Sequence, residues 1–530
     1  MAAAAGLARR VNNSEIELKL LIDPADIPKL RRHPLLKALC PSGPKTRKLT
    51  STYFDTDDFV LKNQAIALRV RRSGRQWIQT VKGGGSVQAG LHQRDEWEAP
   101  VAHSTPDFTK ITHPSLIPLF ASAELRQHLH PVFVTEFNRT VWLLETEAGD
   151  RVEMALDQGE VRADPGKSAI SEVELELKAG NPAALYELAL ALQEAVPLRP
   201  ENASKAERGY ALCVASAPLP AVKATRPEVA REMTVDAAFR AIAWNCIGQL
   251  QDNQSRLLQG YDPELIHQMR VAVRRLRSAL NLFGAAAPGI KDAVLTAELR
   301  WFVGELGPAR DWDVFLSETL PPVIEALPQG AGLALLQQAA ATLCQAAREQ
   351  ACAAATSPRY YRLLLTLGRW LWREPWRDEA EAAGLARLDQ PLAAFAAAML
   401  GRRHRQLRRR GGNLAQLNAE QRHALRIAAK KLRYAAEFFS GFYPRKATRR
   451  YLQALADLQD ELGVLNDQAV TGRLLEQIGA GGRLRCRASG VIIGWIACTT
   501  RLQLADMVSV WKRFNRSKVF WGEVFLRDKK

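Results

Sequence analysis

The stretch Glu15-Ile16-Glu17-Leu18-Lys19-Leu20 alternates a charged with an aliphatic side chain at every step. Successive residues of a β-strand project to opposite faces, so Glu15, Glu17 and Lys19 share one face and Ile16, Leu18 and Leu20 the other. Similar faces recur at Arg69 and Arg71, at Arg94, Glu96 and Glu98, at Glu153 with Asp157, and at Glu172, Glu174 and Glu176. Any one of these runs alone reads as an ordinary half-buried strand with its polar side in water. A solvated face mixes Ser, Thr, Gln and Lys, whereas these five are almost wholly carboxylate, guanidinium and ammonium, as if grouped around one ligand. An antiparallel barrel of about eight strands has room inside for one small ligand. The expected arrangement is charges inward, with helices covering the apolar outer faces.

The chain has 530 residues, too many for a single ordinary core. Short alternating runs bounded by Gly, Pro and Asp dominate as far as Cys213, and Ala/Leu/Arg-rich stretches with apolar residues three and four apart dominate after Glu232. Between them, three prolines interrupt any periodicity. We therefore expect an α+β multidomain chain: a β-rich domain over residues 10–215, a linker over 216–232, and an all-α domain over 233–515. Residues 1–215 hold 27 Lys+Arg against 27 Asp+Glu, so the 46 bases and 29 acids beyond them carry the whole net charge of +17. The second half is the one that seeks polyanions. The longest uncharged apolar stretch near the end, Gly490 to Cys498, is far short of the roughly 20 residues a membrane span needs. Met1 to Arg10 lacks the apolar run of an export signal, and the seven cysteines form no Cys-x-x-Cys pair. A cytoplasmic protein is expected.

The helical half contains an internal repeat. His267-Q-M-Arg270-V-A-V-Arg274-Arg275-L-Arg277 is matched by His423-A-L-Arg426-I-A-A-Lys430-Lys431-L-Arg433 at a constant offset of 156, and 40 residues after each histidine comes the glycine of an E-L-G triplet, Gly307 or Gly463. The two copies span about 233–345 and 355–515. At helical spacing His267, Arg270, Arg274 and Arg277 form one stripe, and His423, Arg426, Lys430 and Arg433 form a second. A single basic stripe is usually a solvated helix face; a duplicated one in the same register points to a shared anion.

Glu15-Ile-Glu-Leu-Lys19 resembles the Glu-x-Glu-x-Lys signature of the CYTH family, the triphosphate tunnel metalloenzymes. Tyr53-F-D-T, Leu68-Arg-V-Arg71, Thr80-V-Lys82, Gly90-L-H-Q-Arg94, Glu136-F-N-Arg139, Glu153-M-A-L-Asp157, Glu172-V-Glu174-L-Glu176 and Ser204-Lys205-A-E-R-G-Y resemble its successive elements in order. The helical half, with Leu306-Gly307-x-x-Arg310-Asp311 and Leu462-Gly463-x-x-Asn466-Asp467, resembles the CHAD domain. The resemblance implies an eight-stranded tunnel followed by two similar four-helix bundles around a basic groove. It also implies an inorganic triphosphatase, cutting triphosphate to pyrophosphate and phosphate, joined to a polyphosphate-binding module.

A linear triphosphate must be met by several cations. Lys19, Arg69, Arg71, Lys82, Arg94, Arg139 and Lys205 would clamp it. The acids would hold Mg²⁺ or Mn²⁺, hard ions that prefer carboxylate oxygen: one ion at Glu172, Glu174 and Glu176, and a second ion or the attacking water at Glu15 and Glu17 with Glu153 and Asp157. Glu15, Glu17 and Lys19 are the expected catalytic group. Family members also cleave thiamine triphosphate or cyclise ATP in the manner of a class IV adenylate cyclase, and Tyr53, Trp77 and Trp97 could cradle an organic moiety. A non-catalytic polyphosphate scaffold is the third reading. Nucleic acid is a weaker partner for the stripes, which lack interleaved aromatics for base stacking.

Overall fold

The computed structural model describes residues 14–214, 219–327, 332–479 and 482–522, excluding the side chains at 14, 415, 419, 464–469 and 500–506. The N-terminal stretch read for an export signal and the side chains of Asn466 and Asp467 thus lie outside the described residues.

Eight antiparallel strands close into a barrel: β1 (Ser14–Ile22), β2 (Lys45–Asp55), β3 (Ile66–Ser73), β4 (Gln76–Gln88), β5 (Leu91–Val101), β6 (His130–Glu145), β7 (Arg151–Arg162) and β8 (Lys167–Ala179). The order is β5-β4-β3-β2-β6-β7-β8-β1, and β1 returns to β5 through the Ser14↔Asp95 to Leu18↔Leu91 register. The other half of that β1 edge, Leu20 to Ile22, pairs with a ninth short strand, β9 (Leu198–Pro200). The aliphatic residues that alternate with the charges are buried on the outside. Leu68, Val70 and Val81 pack under Ile111, Leu116, Phe120 and Leu125.

The helix Lys205–Cys213 shows how one motif builds this domain. Ser204 caps it and Glu207 returns the bond, a capping box that ends the preceding loop and fixes Lys205 at the first helical position. Gly209 lies against Phe133, where an added Cβ would fall 2.2 Å from the ring. The Tyr210 hydroxyl donates to Asp55 at 2.7 Å. The compact unit holding the barrel also takes in the helix Pro358–Arg373. Its Gly368 meets the helix Ala183–Gln193 so closely that a Cβ would lie 2.3 Å from the Tyr186 ring.

The second unit, residues 220–357 with 374–530, is all-α among its described residues. The two copies of the repeat fall on the helices Pro263–Phe283 and Ala419–Phe439. Residues 220–226 of the expected linker are hydrogen-bonded along this unit: Val222 exchanges two 2.9 Å bonds with Asn253, and Thr225 bonds Asn245 and Arg275. Near the end of the chain, Phe514 from the long helix Arg483–Arg516 joins Phe520 and Trp521 around Tyr451. Among the described residues no helix is long and apolar enough to cross a membrane.

Candidate functional site

The barrel encloses a cavity of about 270 Å³ lined by nine cationic and seven carboxylate side chains. Register sets neighbours side by side. Lys19 pairs with Glu174, Arg139 with Asp157, Lys82 with Glu96, and Glu153 with Glu176. Every cation expected to clamp the anion lines the cavity: Lys19, Arg69, Arg71, Lys82, Arg94, Arg139 and Lys205. Glu15, Glu17, Glu153, Glu174 and Glu176 line it too, whereas Asp157 and Glu172 sit behind the wall, 0% and 1% exposed.

The carboxylates separate into two groups. Asp157, Glu172 and Glu174 offer oxygens within 4.8 Å of one another, and cations engage all three. Lys205 reaches Asp157 at 2.6 Å and Glu174 at 2.9 Å and also bonds Glu172. Arg139 grips Asp157 and Glu174, Arg208 grips Glu172, and Lys19 bridges Glu174 and Glu17. Burial alone would raise the Glu174 carboxyl and lower the Lys19 ammonium. The opposite charges outweigh it, holding Glu174 well below the usual carboxylate range and Lys19 above the usual ammonium one. The second group is Glu15, Glu153 and Glu176. Burial raises the Glu176 carboxyl, and repulsion from Glu15 and Glu153 adds to it even though Lys178 pairs with Glu176. Carboxylates gathered in this way suit a hard divalent cation. Both groups offer carboxylate oxygens of the kind a divalent cation takes, Asp157 standing with Glu172 and Glu174 and Glu176 beside Glu15 and Glu153, and an ion at the first group would displace Lys19, Arg139, Lys205 or Arg208 from its oxygens.

Arg71 differs from its neighbours. No salt bridge reaches it among the described residues, and its Nε donates to Ser51 at 3.3 Å. Burial, with Arg69 and Arg139 close by, pushes its guanidinium down to about 10. Tyr53, stacked on Phe133 at 4.4 Å, turns towards the same charges; Arg69, Arg71 and Lys205 lower its phenol against the effect of burial. His92 is buried on the inner face with Nε2 on the Glu201 carbonyl at 3.0 Å, and burial and Lys19 push it down to about 3, so it is neutral. Arg47 lines the cavity and was not anticipated, because the face it shares reads Arg47-Leu49-Ser51-Tyr53 and shows no charge alternation. Of the aromatic residues considered for an organic cradle, Tyr53 is inside. Trp97 lines an adjoining cavity of about 500 Å³ with His113 and Glu15, Glu96, Glu98 and Glu176, while Trp77 lines neither.

In the helical unit His267, Arg270, Arg274, Arg426 and Lys430 meet in one cavity of about 390 Å³, joined by Arg310 and Arg473. Among the described residues the buried Nε–H groups of Arg270 and Arg274 have no hydrogen-bond partner. Burial with Arg310 pushes His267 down to about 4, and burial with Arg274 and Arg310 pushes Arg270 down to about 10. Arg433 lines a neighbouring cavity, and Arg277 and His423 line neither.

Comparison with known proteins finds a family for each half of the chain. Residues 13–210 match the model of the CYTH domain and residues 241–476 that of the CHAD domain. An inorganic triphosphatase of Haemophilus influenzae is 36% identical over 204 residues, 37% of this chain and 54% of the relative, so the match spans about half of that protein. The crystal structure of the CHAD domain from the plant Ricinus communis is 37% identical and covers 57% of this chain and 98% of its own, with a TM-score of 0.50. With a charge-lined closed barrel in front and the duplicated basic helices behind, the chain belongs to the CYTH family through residues 13–210 and to the CHAD family through residues 241–476.

Proposed function

We infer that the barrel hydrolyses inorganic triphosphate to pyrophosphate and phosphate with the help of Mg²⁺ or Mn²⁺, and that the helical domain binds polyphosphate. The observation that carries the first part is Arg71, a cation crowded by Arg69 and Arg139 and in no salt bridge among the described residues, inside a cavity whose lining cations outnumber its acids. A phosphate chain relieves that repulsion. The triphosphatase similarity of this part of the chain supports the same substrate. In this reading Lys19, Arg69, Arg71, Lys82, Arg94, Arg139 and Lys205 bind and orient the anion, and Glu15 or Glu17 takes a proton from water. A divalent ion held by the carboxylates would neutralise charge on the phosphate oxygens. The convergence of His267, Arg270, Arg274, Arg310, Arg426, Lys430 and Arg473 on one cavity, with the Nε–H groups of Arg270 and Arg274 unpartnered among the described residues, supports the second part.

The adjoining cavity favours one second reading, thiamine triphosphate. Trp97 and His113, 4.5 Å apart, stand among four carboxylates, a setting for an aromatic cation. The test is phosphate release from triphosphate, long-chain polyphosphate, ATP and thiamine triphosphate with Mg²⁺ or Mn²⁺, and again after EDTA. Fastest release from triphosphate, abolished by EDTA and restored by either metal, supports the first reading. Turnover undiminished by EDTA overturns the metal assignment, and preference for thiamine triphosphate transfers the site to the second reading.

A further inference from the structure

The basic cavity holding His267, Arg274 and Lys430 has a neighbour. A second cavity, of about 590 Å³, shares those three residues and extends past Arg433 to the backbone segment that joins the two domains, where Lys223 and Arg226 form part of its lining. That segment lies outside both family-matched regions.

The segment is held by a buried polar network. Arg275 is 1% exposed and no salt bridge forms to it among the described residues. It donates Nη2 to the Thr225 carbonyl at 3.0 Å and to Asn245 at 2.9 Å, and Nη1 to Gln249 at 2.8 Å, with its guanidinium over the Phe438 ring. Asn253, fully buried, closes a two-bond pair with Val222, and Asn245 donates to the Thr225 hydroxyl. Pro227 and Val229 are buried beyond it. Burying a guanidinium without a carboxylate is costly, and here it fixes the backbone at Thr225, while Asn253 fixes it at Val222 on the other side of Ala224. Lys223 and Arg226, three residues apart, are exposed, and no salt bridge forms to either among the described residues. Arg433 across the cavity is already paired with Glu437 at 2.7 Å. Cations on a segment already ordered lose less entropy when an anion binds.

We propose that Lys223 and Arg226 are binding residues for a linear polyphosphate, which passes from the first cavity across His267, Arg274 and Lys430 into the second. Arg275 is a positioning residue that holds the segment in place. The proposal rests on the reading that the helical domain binds polyphosphate. A thin, flexible chain can follow two adjoining cavities, whereas a rigid duplex cannot enter both.

The experiment titrates end-labelled long-chain polyphosphate with the full chain, by fluorescence anisotropy over a range of salt. Lys223→Ala with Arg226→Ala, both exposed, is expected to weaken binding on the order of tenfold and to flatten the slope of log affinity against log salt by about 1.4, two contacts at the single-strand value. Arg274→Glu with Lys430→Glu is the reference and should weaken binding more. If the first pair binds like wild type while the reference pair fails to bind, the segment is not part of the site, and the groove reading stands. If both bind like wild type, the groove reading itself falls. Duplex DNA that displaces polyphosphate at equal phosphate concentration overturns the ligand class.

Discussion

Arg139 and Asp157 face each other across β6 and β7 and are joined by two parallel hydrogen bonds, Nε to Oδ1 at 2.8 Å and Nη2 to Oδ2 at 2.6 Å. This fork holds the guanidinium in one orientation at the edge of the cavity, and Asp157 steadies the Lys205 ammonium from the same place. Asp157→Asn leaves both cations buried with one charge fewer between them. Breaking a buried pair from one side costs about 3–5 kcal/mol, so the calorimetric transition of the barrel should fall clearly, and adding Arg139→Gln should recover part of the loss. Arg139 and Lys205 hold the Asp157 carboxyl below its ordinary value against burial. Its contribution is therefore present above the unfolded value and is lost as pH falls through the folded one. An Asp157→Asn protein that melts with wild type at neutral pH would show that the carboxylate does not hold the clamp.

Arg71 and Glu174 should separate binding from turnover. Arg71 meets no carboxylate among the described residues, so Arg71→Ala removes an anion contact and little else. Loss of one charged hydrogen bond of about 1.5–3 kcal/mol predicts a fall in kcat/KM of roughly 10- to 100-fold, mostly through KM. Glu174 engages Lys19, Arg139 and Lys205 together. Glu174→Gln should cut kcat, with a loss of stability of the same kind as Asp157→Asn, since the three cations lose their common partner. Steady-state kinetics on triphosphate check both, and equal parameters for the two variants would contradict the division of roles.

Much of this site was legible because the barrel turns a period of two into an inner and an outer face. Glu15, Glu17 and Lys19 line the cavity as their alternation requires, and so do the seven expected clamp cations. What alternation cannot give is depth. Asp157 and Glu172 share the inner period yet lie behind the wall, where they orient cations, because the bulk of Arg139, Lys205 and Arg208 in front of them is a matter of packing. Nor does a helical stripe show which of its residues meet a neighbouring helix. His267, Arg270 and Arg274 enter the cavity with Arg426 and Lys430, but Arg277 faces Arg300 instead and His423 is exposed. The ordered segment at Val222 to Thr225 was hidden for another reason. Its partners Asn245, Asn253 and Arg275 read as ordinary polar positions until two helices bring them together.

The helix Pro358–Arg373 belongs to the compact unit of the barrel although the 138 residues 220–357 separate it from Leu219. It lies on the helix Ala183–Gln193, whose Leu185, Tyr186, Ala189 and Leu192 are fully buried. Gly368→Leu would drive a side chain into the Tyr186 ring and should lower the melting temperature of the barrel unit in the full chain. A fragment ending at residue 214 lacks this cover and should be less soluble and less stable than the intact protein. A fragment as stable as the intact chain would show that the helix contributes nothing to the barrel.

His404 lies beside Tyr451, Phe514 and Trp521, its Nδ1 2.8 Å from the Tyr451 hydroxyl. Burial pushes its imidazole down to about 4, and Arg408 and Arg405 push in the same direction. The unfolded chain takes up this proton near the ordinary histidine value of about 6.5, whereas the folded chain refuses it until about 4. Between those values the unfolded state binds more protons, so stability rises with pH and is lost as pH falls from about 6.5 towards 4. His404→Gln keeps a polar side chain and removes the titration. The near-ultraviolet transition of Trp511 and Trp521 in wild type should therefore fall further between pH 7 and pH 5 than in the variant. Parallel curves for the two proteins would mean that the imidazole is already charged in the folded state and that the aromatic cluster does not exclude water from it.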